Sequence, residues 1–196
     1  MVNYRLKKVG LFFGTFNPIH IGHLIIASYM VNFTDIDELW FIVSPQSPFK
    51  KKSTLLSNYH RLEMVEMAIE KQENMCVSDI EFRLPLPSYT INTLAYLKER
   101  YSNNKFVLIM GADNLATINK WKNYEIILQD YEIYVYPRPN VTPGEYASHP
   151  SVKITSAPII EISSSFIRDA IKNKKNVSFF LPDKVYQYIK DMHFYE

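Results

Sequence analysis

The sequence predicts an α/β fold: a central parallel sheet flanked by helices. Three observations predict it. Short apolar runs closed by Gly or Pro alternate with stretches whose apolar residues recur at helical spacing, as βαβ units read. Several runs end in a glycine or polar turn, the usual way strands deliver side chains to a ligand-binding rim. The composition also supports a sizeable core, since 47% of the 196 residues are hydrophobic and 21% charged.

The elements follow in order. "KVGLFF" reads as the first strand, ending at Gly14, and "IGHLIIASYMVNF" as a helix finishing near Asp35. "ELWFIVSP" is a second strand closed by Pro45. "SNYHRLEMVEMAIEK" is an amphipathic helix with Leu62, Met64, Val65 and Ile69 on its apolar face and Ser57 as N-cap. "MCVSDIEF" reads as a third strand or strand edge, and "SYTINTLAYLKERY" as a helix entered after Pro85 and Pro87. "KFVLIMG" is a fourth strand ending at Gly111, and "YEIYVYPRP" a fifth stopped by Pro137 and Pro139. The loop "NVTPGEYASHP" leads to a short strand, "VKITSA". A helix led by three serines, "SSSFIRDAIKN", and a last one, "PDKVYQYIKDM", with Pro182 at its start, complete the chain. Length and the lack of repeats predict one domain over 1–196, with a helical part over about 160–196.

Charge and cysteine usage narrow the function classes. Lys and Arg (22) against Asp and Glu (20) give a net +2, too balanced for a protein that grips duplex nucleic acid by overall charge. A local basic site for a phosphorylated small molecule stays open. Cys76 is the single cysteine, which excludes an intrachain disulfide and a cysteine zinc cluster. It reads as a small, half-buried apolar residue. No segment reads as a signal peptide or membrane span, so the expected setting is cytoplasmic, with no membrane partner. Homo-oligomerisation is left open.

The chemistry-bearing stretch is "GLFFGTFNPIHIGHLIIA", residues Gly10 to Ala27. His20 and His23 share one face at the start of a helix, whose free N–H groups and partial positive charge favour an anion. Gly14 lets the backbone turn sharply, and Gly22 leaves a patch without Cβ where a planar ring can lie close. Two imidazoles can donate to phosphate oxygens and share developing charge. A metal site is disfavoured, because no third ligand and no acidic residue accompanies them. Late in the chain, "ISSSFIR" offers Ser163 and Ser164 at a helix start and Arg168 one turn in, a guanidinium able to fork onto a phosphate.

"GTFNPIHIGH" resembles the G-x-F-x-P-x-H-x-G-H signature of the nucleotidyltransferases that share a "HIGH" motif with class I aminoacyl-tRNA synthetases. "ISSSFIR" is similar to their terminal I-S-S-T-x-I-R motif, with Ser165 where threonine is usual. "PSYTINTLAYLKERY", "IMGADNLATINKWKNYEIIL" and "YVYPRP" match, in order and spacing, the bacterial nicotinate-nucleotide adenylyltransferases, nearly end to end. The resemblance implies a Rossmann-like nucleotidyltransferase fold and adenylyl transfer from ATP to nicotinate mononucleotide, giving deamido-NAD and pyrophosphate in NAD biosynthesis.

It also implies roles. His20 and His23 meet the ATP phosphates, His20 nearer the α-phosphate, with Arg168 as the third catalytic residue. Gly14, Thr15 and Phe16 cradle phosphates through their backbone. Ser163 and Ser164 join Arg168 at the β- and γ-phosphates, and Lys50 of "SPQSPFKKK" assists. Gly111 and Asp113 line the nucleotide site, although Asp113 also reads as a helix N-cap. Thr90 and Trp121 recognise nicotinate: an indole stacks on an electron-poor ring, and helix-start donors suit a carboxylate. Arg138 is expected at the nicotinate nucleotide or as a loop anchor. Mg²⁺ is expected with ATP, held by phosphates and water, with no protein metal site.

Two departures stand out. Phe49 stands where histidine is usual, and Leu84 where a basic residue is, with Arg83 one place early and given no substrate role. Two rivals keep part of this reading: transfer to another acceptor, such as nicotinamide mononucleotide or phosphopantetheine, and a non-catalytic nucleotide sensor.

Overall fold

The computed structural model describes residues 5–45 and 55–196. Its frame is a six-stranded parallel sheet in the order β3-β2-β1-β4-β5-β6. The strands are β1 (Lys7–Gly14), β2 (Glu38–Val43), β3 (Met75–Ser78), β4 (Asn104–Gly111), β5 (Glu132–Tyr136) and β6 (Val152–Ile154). Helices α1 (Ile21–Phe33), α2 (Asn58–Ile69) and α3 (Thr90–Arg100) form the first crossovers. The short α4 (Ala112–Leu115) and α5 (Tyr124–Asp130) join β4 to β5, and α6 (Ser164–Lys172) and α7 (Asp183–Asp191) follow the sheet. This is the doubly wound, Rossmann-like order expected from the sequence.

Both sheet faces are covered, which explains the continuous apolar runs. Successive residues of a strand point to opposite faces, so Leu11 and Phe12 enter different cores, as do Leu108 and Ile109. One core lies beneath α1, α2, α6 and α7 and holds Ala27, Met64, Ile167 and Val185. The other lies beneath α3 and α5 and holds Leu94, Leu97 and Ile127. Ser57 caps α2 as expected, its hydroxyl accepting from the His60 N–H.

Three local expectations change. "MCVSDIEF" is β3 only to Ser78, after which Ile80–Arg83 wind into a 3-10 turn. The segment ahead of β5, given no element from sequence, forms α5, entered through Asn123 in the left-handed region at φ 54°. Gly111, not Asp113, takes the N-cap position of α4, so the cap reading of Asp113 is corrected.

The order reverses direction between β1 and β4, which pair directly with Phe12 opposite Ile109. The two connections leave this point toward opposite faces and open a crevice beyond the strand ends. Gly14 and Gly111 end those two strands. The "GTFNPIHIGH" motif and the "GAD" stretch therefore both start at the switch point.

Candidate active site

The turn from Gly14 to His20 is held with its carbonyls pointing inward. Gly14 C=O accepts from the Ser44 N–H at 2.9 Å, and Thr15 C=O from Arg61 Nη1 at 2.6 Å. Asn17 C=O accepts from Arg168 Nη1 at 2.7 Å, and Pro18 C=O from the Ser164 hydroxyl at 2.9 Å. A trans peptide points its N–H opposite its C=O, and the Thr15–Phe16 bond is trans. Fixing the Thr15 carbonyl on Arg61 thus aims the Phe16 N–H away from α2. That N–H is thereby a donor an anion can use.

Phe16 sits at φ 45°, in the left-handed region, which costs a non-glycine residue about 1 kcal/mol. The pinned carbonyls and the buried ring hold it there. That ring lies over Gly14, where a Cβ would meet Phe16 Cζ at 2.7 Å. Phe16 can therefore offer a ligand only its backbone, since its side chain belongs to the core.

His20 is the N-cap of α1, one step outside the helix, with an extended backbone. His23 is the third helical residue, and its Nδ1 accepts from the His20 N–H at 3.2 Å. An accepting nitrogen carries no proton, so the ring N–H of His23 is at Nε2. The two imidazoles stack with centroids 3.7 Å apart and planes 28° from parallel. Burial, and secondarily the charge of Arg138, lower the His20 pKa to about 4. His20 is thus a neutral imidazole at pH 7, able to donate from one nitrogen without carrying a charge itself.

Gly22 proves different from expectation. Its Cβ space is filled by Ile160 Cγ2 at 2.8 Å and His20 Nδ1 at 3.0 Å, so it receives His20's own ring, not an incoming one. The glycine lets the imidazole lie flat on the helix start.

α6 completes this side. Ser163 caps it by accepting from the Phe166 N–H at 3.2 Å, while Ser164 and Arg168 reach the Asn17–Pro18 turn. The two motifs, remote in sequence, are thereby brought together, as expected. Beyond β4 and β5, Arg138 Nε lies 3.5 Å from Asp113 Oδ1, and its guanidinium sits over the Tyr136 ring at 5.3 Å. A Cβ on Gly111 would come within 2.3 Å of that carboxylate oxygen, so this pair can fold over the strand end only because Gly111 has none.

Thr90 is the first residue of α3, and Trp121 closes the 3-10 turn Ile118–Lys120 with its N–H on Ile118 C=O at 2.8 Å. Tyr89 and Trp121 both pack against the second core. Lys122 Nζ lies 4.7 Å from the centre of the Tyr89 ring, which brings the Trp121 stretch beside the start of α3. Arg83 pairs with Asp79 at 3.1 Å on the surface, away from any such role. Lys50 and Phe49 lie outside the described residues.

Sequence reasoning missed Arg61 and Asn17. Arg61 is fully buried and donates to the carbonyls of Thr15, Ser44, Pro45 and Leu56 and to Asn58 Oδ1. Burial lowers its pKa to about 10, still charged at neutral pH. The signal was available: Arg61 precedes Met64 and Val65 by three and four residues, which puts it on the buried face of α2. Among the described residues no three His, Cys, Asp or Glu side chains gather to hold a metal ion. No helix there is long and apolar enough to cross a membrane.

The cytidylyltransferase-like family model matches residues 11–170. A protein from Flavobacterium johnsoniae named "probable nicotinate-nucleotide adenylyltransferase" is 54% identical over 191 residues, 96% of this chain and 99% of that one. The chain belongs to the nicotinate-nucleotide adenylyltransferase family. A member from Cytophaga hutchinsonii, similarly named, is 46% identical over 96% of this chain and 98% of its own. The adenylyltransferase fold extends further: Plasmodium falciparum nicotinic acid mononucleotide adenylyltransferase, solved in complex with NaAD, superposes with TM-score 0.82 at 20% identity. That match covers 96% of this chain and 97% of the other.

Proposed function

We propose that this protein transfers the adenylyl group of ATP to nicotinate mononucleotide, releasing pyrophosphate and deamido-NAD. The observation that carries the reading is the inward-pinned turn ending in two stacked imidazoles at the switch point. Family membership supplies the substrate class.

The 5′-phosphate oxygen of nicotinate mononucleotide attacks the α-phosphorus of ATP in line, a P–O bond forms, and the bond to the bridging oxygen breaks. The electron pair leaves with pyrophosphate. The acceptor phosphate is itself the nucleophile, so no covalent enzyme intermediate is needed and the protein's task is positioning and charge stabilisation. The backbone of Gly14, Thr15 and Phe16 binds phosphate oxygens. His20, uncharged, donates to the α-phosphate, and His23 donates through Nε2. The backbone N–H groups at Ser163 and Ser164 and the guanidinium of Arg168 hold the leaving phosphates, with Lys50 assisting. Arg138 contacts the nicotinate nucleotide in this reading, and Gly111 and Asp113, which line the nucleotide site, set its position. Thr90 and the free N–H groups opening α3 take the nicotinate carboxylate, and Trp121 takes the ring. An amide would turn its NH₂ toward those donors, which makes the acid the preferred substrate.

Mg²⁺ enters with ATP in this proposal, because among the described residues no group of three His, Cys, Asp or Glu side chains gathers to hold it. When bound, it neutralises charge on the leaving phosphates. The whole of 1–196 acts as one nucleotidyltransferase domain in a cytoplasmic setting.

Stereochemistry tests the single displacement. With ATP made chiral by sulfur at the α-phosphate, one in-line attack gives inversion at that phosphorus. Retention would mean two displacements and an adenylyl-enzyme, and would overturn the mechanism.

A further inference from the structure

The segment after α7 reaches back to the turn that carries the two histidines. Tyr195 donates its hydroxyl to Asn17 Oδ1 at 2.9 Å. Asn17 is 3% exposed, and the same oxygen accepts from the Leu56 N–H at 3.2 Å, at the approach to α2. One amide oxygen thus ties together the turn, the entry to α2 and a residue 178 positions away.

The segment is built to make that reach. His193 and Tyr195 adopt positive φ, 52° and 68°, which folds the chain back after α7, and the Phe194 N–H closes the reversal on Ile189 C=O at 3.0 Å. The Phe194 ring then packs against His60 and Tyr188, with centroids 4.8 and 5.7 Å away. Tyr188 in turn bonds His60 Nδ1 at 2.9 Å and donates to Glu63 at 2.7 Å. α2 is therefore gripped on its outer side by this segment, while Arg61 on its inner side holds the Thr15 carbonyl. The charges of Arg168 and Arg61, the two guanidinium groups that pin the turn, are both felt at the Tyr195 hydroxyl.

We propose that Tyr195 is a positioning residue of the active site: its hydroxyl fixes the Asn17 amide, and through it the turn whose donors face the reacting phosphates. This rests on the proposed adenylyl transfer for its kinetic readout. The physical basis is the cost of leaving a buried acceptor short of a donor, and the steep dependence of in-line transfer on sub-ångström placement. Without the hydroxyl, the turn keeps its arginines and the Leu56 N–H but loses the contact that ties the Asn17 side chain to the segment after α7.

The test compares wild type, Tyr195→Phe, Asn17→Ala, the double variant, and Val185→Ala as a control that loosens the core under α7 but leaves the Tyr195 and Asn17 side chains themselves in place. Tyr195→Phe should lower kcat about tenfold with KM for ATP changed less than twofold, and should have no further effect in the Asn17→Ala background. Val185→Ala should keep wild-type kcat even where its Tm falls as far or further. Hydrogen–deuterium exchange without substrate gives an arm independent of the reaction: amides of residues 15–24 should exchange faster in Tyr195→Phe, and those of β4 unchanged. Inactive wild-type protein with that exchange pattern would sink the adenylyl-transfer reading and leave the positioning intact. Unchanged turn exchange, unchanged kcat in Tyr195→Phe, an equal loss in the Asn17→Ala background, or an equal loss in Val185→Ala would each overturn the proposal.

Discussion

At the scale of single residues, His20 is held neutral by where it sits. Its pKa of about 4, against an ordinary 6.5, means that between those values the unfolded chain binds a proton that the folded one refuses. Its contribution to stability is complete above pH 6.5 and falls as pH drops toward 4, by about 1.4 kcal/mol per pH unit. Urea unfolding at several pH values should show that slope, and His20→Gln should flatten it. The same substitution should leave KM for ATP within a few-fold but lower kcat by about a hundredfold or more, measured by pyrophosphate release, because the lost donor acts where charge develops. Gly22→Ala probes the ring's seat. Its methyl would press on Ile160 and the His20 ring, at a stability cost of about 1–3 kcal/mol, and should lower kcat with it. A Gly22→Ala protein with wild-type kcat would show that the flat seating of His20 does not matter.

At the scale of elements, α6 acts as a clasp on the turn rather than as a free-standing phosphate grip. Ser164 and Arg168 each spend one donor on a backbone carbonyl of the Asn17–Pro18 pair. Arg168→Lys keeps the charge but lacks the fork that can hold a carbonyl and a phosphate together. It should lose most of its kcat while Tm drops by only a few degrees, a contrast that thermal melts and steady-state kinetics would read. Most elements were legible because strands buried on both faces leave continuous apolar runs and helices buried on one face leave a 3.6-residue period, and the glycines ending β1 and β4 marked the switch point. α5 was not legible, since its entry depends on Asn123 turning left-handed, which nothing in the local pattern signals. Nor were the partners of the turn. Helical spacing puts Arg61 on the buried face of α2, but the distant carbonyl and amide oxygens that Arg61 and Tyr195 meet leave no periodic trace. Gly22 was read as a ligand's landing place because sequence shows the missing Cβ but not what fills its space.

At the scale of the whole molecule, the sheet separates chemistry from scaffolding. The crevice lies beyond the carboxyl ends of β1 and β4, while a charged network gathers at the opposite ends of the strands. There Lys8 is 8% exposed and bonds Asp35 at 2.7 Å, Glu132 at 2.6 Å and the Tyr134 hydroxyl at 3.0 Å. Burial works against the Asp35 carboxylate, but its hydrogen bonds from Lys8 and the Tyr134 hydroxyl outweigh that and lower its pKa to about 2. Lys8→Met would leave two carboxylates facing each other, and should cost about 2–3 kcal/mol, less than a fully buried pair because Asp35 is half exposed. Its kcat, measured well below Tm, should match wild type. The central claim concerns the other end. Its most direct test is pyrophosphate release by the purified protein with ATP and Mg²⁺, offering nicotinate mononucleotide, nicotinamide mononucleotide and phosphopantetheine in parallel. Release with the first, at least tenfold faster in kcat/KM than with the second and absent with the third, is the predicted result. Equal rates with acid and amide would contradict the role given to Thr90 and the start of α3. No release with any acceptor, despite ATP binding, would contradict catalysis itself.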